Sequence, residues 1–226
     1  MGQRIVIADD HPMVRDALRL AIGRALPDAE IVEADTLGGV LVALEGGPAA
    51  DLVLLDLNMP GMQGFAGLVY LCAQHPELPI AVVSANEEPR VMRRALGAGA
   101  SGYIPKSART EDMRAALRAL TEGEVWVPPG VDPDAGEPDE DTALTARLAS
   151  LTPQQVRVFM MLNDGLVNKQ IAYELGVSEG TVKAHVSAIL QKLGVISRTQ
   201  AVILARRLAA EADAPQELIR RAASEE

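Results

Sequence analysis

Residues 52–56 read Leu-Val-Leu-Leu-Asp, four apolar side chains closed by a carboxylate. No polar residue alternates within the run, which is the pattern of a strand covered on both faces. The same shape recurs outward along the chain: IVIA at 5–8 followed by Asp9 and Asp10, IVEA at 31–34, IAVV at 80–83 followed by Ser84, and GYI at 102–104 followed by Pro105 and Lys106. Between and after these runs lie segments with helical spacing, at 12–25, 36–45, 65–75, 88–97 and 110–122. Strands alternating with helices imply right-handed crossovers and a parallel sheet. Glu33 inside the second run places that strand toward an edge. Thr110, followed by Glu111 and Asp112, reads as a helix start, with a capping hydroxyl and acids at the positive end of the dipole.

Beyond residue 127 the pattern changes. The stretch 128–147, PPGVDPDAGEPDEDTALTAR, is rich in proline and acid and has linker composition, with room for a short helix at 139–148. The remainder of the chain is helical in pattern throughout. Thr152-Pro153-Gln154-Gln155 is a capping box with proline at the first helical position, opening a helix that runs to about 163. A second helix, 168–175, ends at Gly176; Ser178 caps a third, 179–192, which ends at Gly194; a fourth covers about 198–210 and a last one 215–223. The expected division is therefore 1–127, a connector at 128–148, a helical domain at 149–212 and an extension at 213–226.

With 226 residues, 48% of them hydrophobic and 23% charged, the chain is ordinary globular material with room for two small domains. The single cysteine, Cys72, excludes a disulfide framework and a cysteine zinc cluster, and reads as a packed helix residue. No apolar run approaches a membrane span and no signal-peptide pattern is present, so a cytoplasmic protein with no membrane partner is expected. The net charge of −10 speaks against nucleic acid only until it is divided: residues 151–208 carry 7 basic and 3 acidic residues, while 128–148 carry 6 acids and one base.

In a doubly wound parallel sheet every strand delivers its carboxyl end to one edge, where ligands bind. Asp9, Asp10, Asp56, Ser84 and Lys106 all stand there. Clustered carboxylates need a cation, and an oxygen donor set without cysteine or histidine suits Mg²⁺. Lys106 adds a positive charge for a transferred phosphoryl group, Ser84 a hydrogen bond to it, and Asp56 is the natural nucleophile.

The strings IVIADDH, DLVLLDLNMPGMQG, AVVSAN and GYIPKS resemble response-regulator receiver domains over about residues 3–122. The resemblance implies a flavodoxin-like sheet of order 2-1-3-4-5 and transfer of a phosphoryl group from a sensor histidine kinase onto Asp56 with Mg²⁺. It implies that Asp9, Asp10, Asp56 and the backbone carbonyl of Asn58 hold the metal, that Lys106 and Ser84 meet the phosphoryl group, and that Tyr103 is the switch aromatic. Many relatives have proline directly after the lysine; here Pro105 precedes Lys106 and Ser107 follows it.

In the third helix of the carboxyl-terminal part, Val182, Val186, Ile189, Leu190 and Leu193 share the core face, and Lys183, Ala184, Ser187 and Gln191 face away. A helix-turn-helix at about 167–186 would present Lys183 to guanine and Ala184 to a thymine methyl. Asn168, Lys169, Thr181, Lys192 and Arg198 are candidate phosphate contacts, Ser187 lies on the reading face, and His185 is a DNA contact or a packing residue. The string LTPQQVRVFMMLNDGLVNKQIAYELGVSEGTVKAHVSAILQKLGVISRTQAV resembles the LuxR-type DNA-binding domain, so the whole chain is similar to a NarL/FixJ-type response regulator. Two departures stand out: Gln155 where Glu is common, and Val167 where Ser, Thr or Pro is common. The fold class expected is an α/β doubly wound five-stranded parallel sheet followed by an all-α four-helix domain.

The function implied is phosphorylation-controlled binding of double-stranded promoter DNA, as a homodimer when phosphorylated and not as an enzyme. Phosphorylation adds nearly two negative charges, and the surface from the fourth helix to the fifth strand repacks, either releasing the carboxyl-terminal domain or creating a dimer contact. An Asp-nucleophile phosphohydrolase of the haloacid dehalogenase type would carry a second Asp at position 58, where this chain has Asn58.

Overall fold

A computed structural model describes residues 2–133, 135 and 140–209. The final helix expected at 215–223 lies outside the described residues. The first part alternates strand and helix: β1 (Arg4–Ala8), α1 (Pro12–Ala25), β2 (Glu30–Ala34), α2 (Leu37–Glu45), β3 (Leu52–Leu55), α3 (Phe65–Gln74), β4 (Ile80–Ser84), α4 (Pro89–Gly97), β5 (Gly102–Pro105) and α5 (Thr110–Thr121). All strands are parallel and lie in the order β2-β1-β3-β4-β5. The apolar runs are strands because both faces are covered. Ile5, Ile7, Leu52, Leu54, Val83 and Ile104 pack toward α1 and α5, and Val6, Ala8, Val53, Leu55, Val82 and Tyr103 toward α2, α3 and α4. β2 is an edge strand, as its acid suggested, and Glu33 accepts from Arg15 Nε at 3.0 Å and pairs with Arg19.

The start of α5 departs from expectation. Arg109 holds the extended cap position and Thr110 is already helical, so no hydroxyl caps this end. Glu111 and Asp112 in the first turn supply the stabilising charge instead. Past α5 the chain runs back along the sheet: Trp126 forms a parallel bridge with Gly102, donating to Ser101 O at 3.1 Å and accepting from Tyr103 N at 2.9 Å. A Cβ at position 102 would stand 2.7 Å from Trp126 O, so only glycine admits this return.

The connector holds helix α6 (Glu140–Ala149), with Leu144 and Leu148 buried. The rest is α7 (Pro153–Asn163), α8 (Asn168–Leu175), α9 (Glu179–Leu193) and α10 (198–209). The Thr152–Gln155 capping box forms, Ser178 Oγ accepts from Thr181 N, and Gly176 and Gly194 take the left-handed conformation that ends α8 and α9. The sheet face beneath α2, α3 and α4 is continuous with the core of the helical part. Gln63 Nε2 donates to Met160 O at 3.2 Å and to Asp164 Oδ1 at 2.7 Å, and a Cβ on Gly64 would stand 2.8 Å from Ala209 Cα. The opposite face, with α1 and α5, carries an open groove of about 340 Å³ lined by Met13, Leu20, Lys106 and Met113. Among the described residues no helix is long and apolar enough to cross a membrane.

Candidate functional site

β1 and β3 are central and adjacent, so Asp9 and Asp56 end up side by side at the carboxyl edge. Lys106, one residue past β5, reaches back between them: its Nζ lies 2.7 Å from Asp9 Oδ2 and 2.9 Å from Asp56 Oδ2. Its backbone is fixed by a bond from Lys106 N to Ser84 O at 2.7 Å, which sets the loop against the end of β4. Both carboxylates are buried, and Asp10 is partly open. Burial raises the Asp56 carboxyl above its ordinary value even though Lys106 works the other way. Burial alone would lower the Lys106 ammonium; the Asp56 and Asp9 charges outweigh it and hold it above its ordinary value.

Asp9, Asp10, His11 and Asp56 each bring a ligand atom within 4.8 Å of the others. His11 is the unexpected member, because the strand-end pattern points to a donor set free of histidine. Its Nδ1 lies 2.7 Å from Asp10 Oδ1 and 3.3 Å from Asp9 Oδ1, and its backbone N donates to Asp9 Oδ1 at 2.8 Å. Three carboxylates against one ammonium leave excess negative charge, and hard oxygen donors of this kind fit a small divalent cation. Asn58 N donates to Asp56 Oδ1 at 3.3 Å, which brings its peptide to the same corner.

Ser84 is buried, with Oγ accepting from Asn86 N at 3.1 Å. Tyr103 is fully buried and donates its hydroxyl to Asn86 O at 2.6 Å; burial pushes its pKa up to about 12. Asn86 Oδ1 in turn accepts from Glu88 N at 2.9 Å, ahead of α4. Asn86 is thus a hub between Ser84, Tyr103 and α4. It stands inside the string AVVSAN, but an asparagine after a strand has the look of a turn residue. Cys72 is half-buried, and burial pushes its thiol up to about 12, which leaves it inert.

The second candidate region is the outward side of α9. Lys183, Ala184, Ser187 and Gln191 are exposed, while Val182, Ile189 and Leu193 are buried, as the periodicity requires. Thr181 is exposed, His185 half-buried, and Lys183 Nζ has Glu179 Oε1 at 3.3 Å, one turn back. Lys169 is exposed and Asn168 opens α8, where Val167 offers no capping oxygen; Val167 N donates to Gln170 Oε1 at 2.9 Å. Lys192, though exposed, and the half-buried Arg198 direct their donors at acceptors of their own domain. Lys192 Nζ donates to Ser150 O at 2.8 Å and Gln155 Oε1 at 2.9 Å, and Arg198 donates to Leu166 O at 2.6 Å. Gln155, where Glu is common, is therefore both half of the capping box and an acceptor for Lys192.

Comparison with known proteins places both regions. The family described as "Response regulator receiver domain" matches residues 5–118, and that described as "Bacterial regulatory proteins, luxR family" matches 149–205. The chain is 39% identical over 208 residues to the glycerol metabolism activator of Pseudomonas putida, across 89% of this chain and 94% of that protein. It is 35% identical over 201 residues to the nitrate/nitrite response regulator protein NarL of Escherichia coli K12, across 88% and 93%. Among solved structures it shares its fold with the RcsB response regulator of Salmonella typhimurium, at TM-score 0.53 and 24% identity, over 89% of this chain and 96% of that one.

Proposed function

The chain belongs to the two-component response regulators that act on transcription, a receiver domain followed by a LuxR-type DNA-binding domain, and we propose that Asp56 is its phosphoacceptor and α9 its reader of promoter DNA. The observation that carries this reading is the Lys106 ammonium bridging Asp9 and Asp56 at the carboxyl edge of the sheet. A carboxylate so placed is a nucleophile with its countercharge already in reach.

An Asp56 oxygen attacks the phosphorus of a kinase phosphohistidine. The P–N bond breaks, the imidazole leaves and takes up a proton, and an acyl phosphate forms on Asp56. Lys106 shifts from the carboxylate to the phosphoryl oxygens, and the Ser84 hydroxyl turns toward them. Asp9, Asp10, Asp56 and the Asn58 carbonyl would hold Mg²⁺, which supplies positive charge opposite the incoming phosphoryl oxygens. Because burial raises the Asp56 pKa, nearby positive charge is also what keeps this nucleophile ionised. A largely apolar groove between α1 and α5 opens beside Lys106, within reach of the same edge of the sheet.

In the reader, Lys183 and Ala184 meet base edges. Thr181, Ser187, His185, Asn168 and Lys169 flank them toward base or phosphate, and Lys192 and Arg198 brace the domain. The phosphorylated chain works as a homodimer on DNA in the cytoplasm. This is a switch and not an enzyme with a small-molecule product. Treatment with acetyl phosphate and Mg²⁺, followed by intact mass and gel filtration, tests it. Wild type gains one phosphoryl group and elutes earlier; Asp56→Asn does neither. Uptake by Asp56→Asn overturns the assignment.

A further inference from the structure

Arg94 sits in the last turn of α4, where an arginine is ordinarily solvated, yet it is 3% exposed. Its guanidinium lies over the Phe65 ring of α3, 4.4 Å from the centroid, and its Nε donates to Thr145 Oγ1 of α6 at 2.6 Å. The Thr145 hydroxyl donates onward to Asp141 O, one turn back, at 2.9 Å. The Asp141 carboxylate lies 2.6 Å from the Arg207 guanidinium of α10. A continuous polar chain therefore runs from α4 through the connector helix to the last described helix.

At its other end α4 begins beyond Asn86, which holds Glu88 N and is itself held by Ser84 Oγ and the Tyr103 hydroxyl. Drawing Ser84 toward a new anion removes the acceptor from Asn86 N and loosens the first turn of α4. With the domains docked, the outward side of α9 remains exposed. Docking thus leaves the groove-reading face open. What it holds down is α6, through Thr145, and α10, through Arg207.

Resting on the phosphoacceptor role of Asp56, we propose that Arg94, Thr145, Asp141 and Arg207 form a latch that pins the connector helix and α10 to the receiver. Phosphorylation opens it through α4. Opening the latch frees α6 and α10 from the receiver, while the outward side of α9 is exposed even with the latch closed.

Amide hydrogen exchange on the full chain reads the latch directly. Thr145→Val keeps the branched shape but takes the acceptor from Arg94, and Arg207→Ala cuts the exposed end of the chain. Exchange across 140–149 is expected to rise about tenfold in Thr145→Val, the usual effect of removing a partner from a charged donor, with β1 and β3 amides unchanged. Arg207→Ala gives about a twofold to threefold rise, as a partly exposed pair should. Beryllofluoride with Mg²⁺ speeds the same segment in wild type and adds little in Thr145→Val, whose latch is already open. Unchanged α6 exchange in both variants overturns the latch. A Thr145→Val chain that loses protection in the sheet as well has unfolded generally, and Arg207→Ala then decides. Equal acceleration by beryllofluoride in wild type and Thr145→Val overturns the coupling. A wild type that takes up no phosphoryl mass overturns the phosphoacceptor reading, and is told apart because the variant comparison needs no phosphoryl donor.

Discussion

The acidic pocket and the reading helix manage charge in opposite ways. In the pocket, Asp9, Asp56 and Lys106 are withdrawn from water and answer to one another. On α9, Lys183 stands in solvent with its partner one turn away. A buried cluster changes state when its charge balance changes; an exposed face changes when something docks on it. The pocket is thus suited to sensing one phosphoryl group and the helix to finding a polyanion, and the packed helices between them have to carry the message.

Removing the charge that balances the pocket should have the largest effect on stability. Lys106→Met leaves two buried carboxylates facing each other, and about 3 kcal/mol of unfolding free energy should be lost near neutral pH. The sign follows from the two shifts. The Lys106 ammonium is held above its ordinary value, so the pair contributes wherever that lysine is charged. Asp56 is raised by burial, so the loss shrinks as acid protonates its carboxyl. Denaturant titrations at several pH values check both magnitude and slope. A variant as stable as wild type at neutral pH would mean the pocket is already open to water.

The helix should behave in the other way. Lys183→Ala removes an exposed side chain that supports little within the fold, so the melting temperature stays put. Binding to the promoter weakens by about 1–3 kcal/mol, and the preference at one base pair relaxes. Fluorescence anisotropy with a set of single-base variants of the promoter measures this. An equal loss on every sequence would move Lys183 from base reading to phosphate contact.

The contrast also explains what could be read from the sequence and what could not. Four of the five strands announce themselves because they are apolar on both faces, β2 alone carrying Glu33, and the helices of the reader because Thr152, Ser178, Gly176 and Gly194 mark their ends. The carboxylates and Lys106 follow from strand ends sharing one edge. Docking between the two parts left no such trace. Gln63, Arg94 and Thr145 look like solvated polar residues, and their partners lie 97, 51 and 51 positions away, beyond any local periodicity. His11 escapes notice for a related reason: its place beside Asp10 depends on how α1 leaves the sheet. Lys192 and Arg198 have the composition of phosphate contacts, and only the fold shows their donors turned toward backbone carbonyls.

Asp56→Asn probes the pocket from its opposite side. The raised carboxyl pKa means the ionised form is less at home in the fold than in the unfolded chain, so neutralising it should stabilise the resting protein by about 1 kcal/mol, a rise of a few degrees. By linkage the gain is present above the folded pKa of Asp56 and fades as pH falls through it, because the wild-type carboxyl is then protonated too. A calorimetric scan at neutral and at acid pH separates this from a simple packing change, which would persist in acid.

The smallest expected effect tests whether the two regions communicate through free charge at all. The connector is acidic and the reader mildly basic, and on sequence alone deleting 132–141 is expected to raise nonspecific DNA affinity. The structure pairs Glu140 and Asp141 with Arg207 on α10, whereas the acid beside Lys183 is Glu179 of its own helix. Glu140 is largely exposed and Arg207 partly so, which makes their contact a surface pair worth about 0–1 kcal/mol. Glu140→Gln should therefore raise nonspecific affinity less than about twofold at roughly 50 mM salt, and by nothing measurable at roughly 200 mM, where screening shortens the reach of such charges. A rise above about tenfold would put connector acid in direct competition with DNA for the reading face, and charge would then carry part of the message that the latch assigns to α4, α6 and α10.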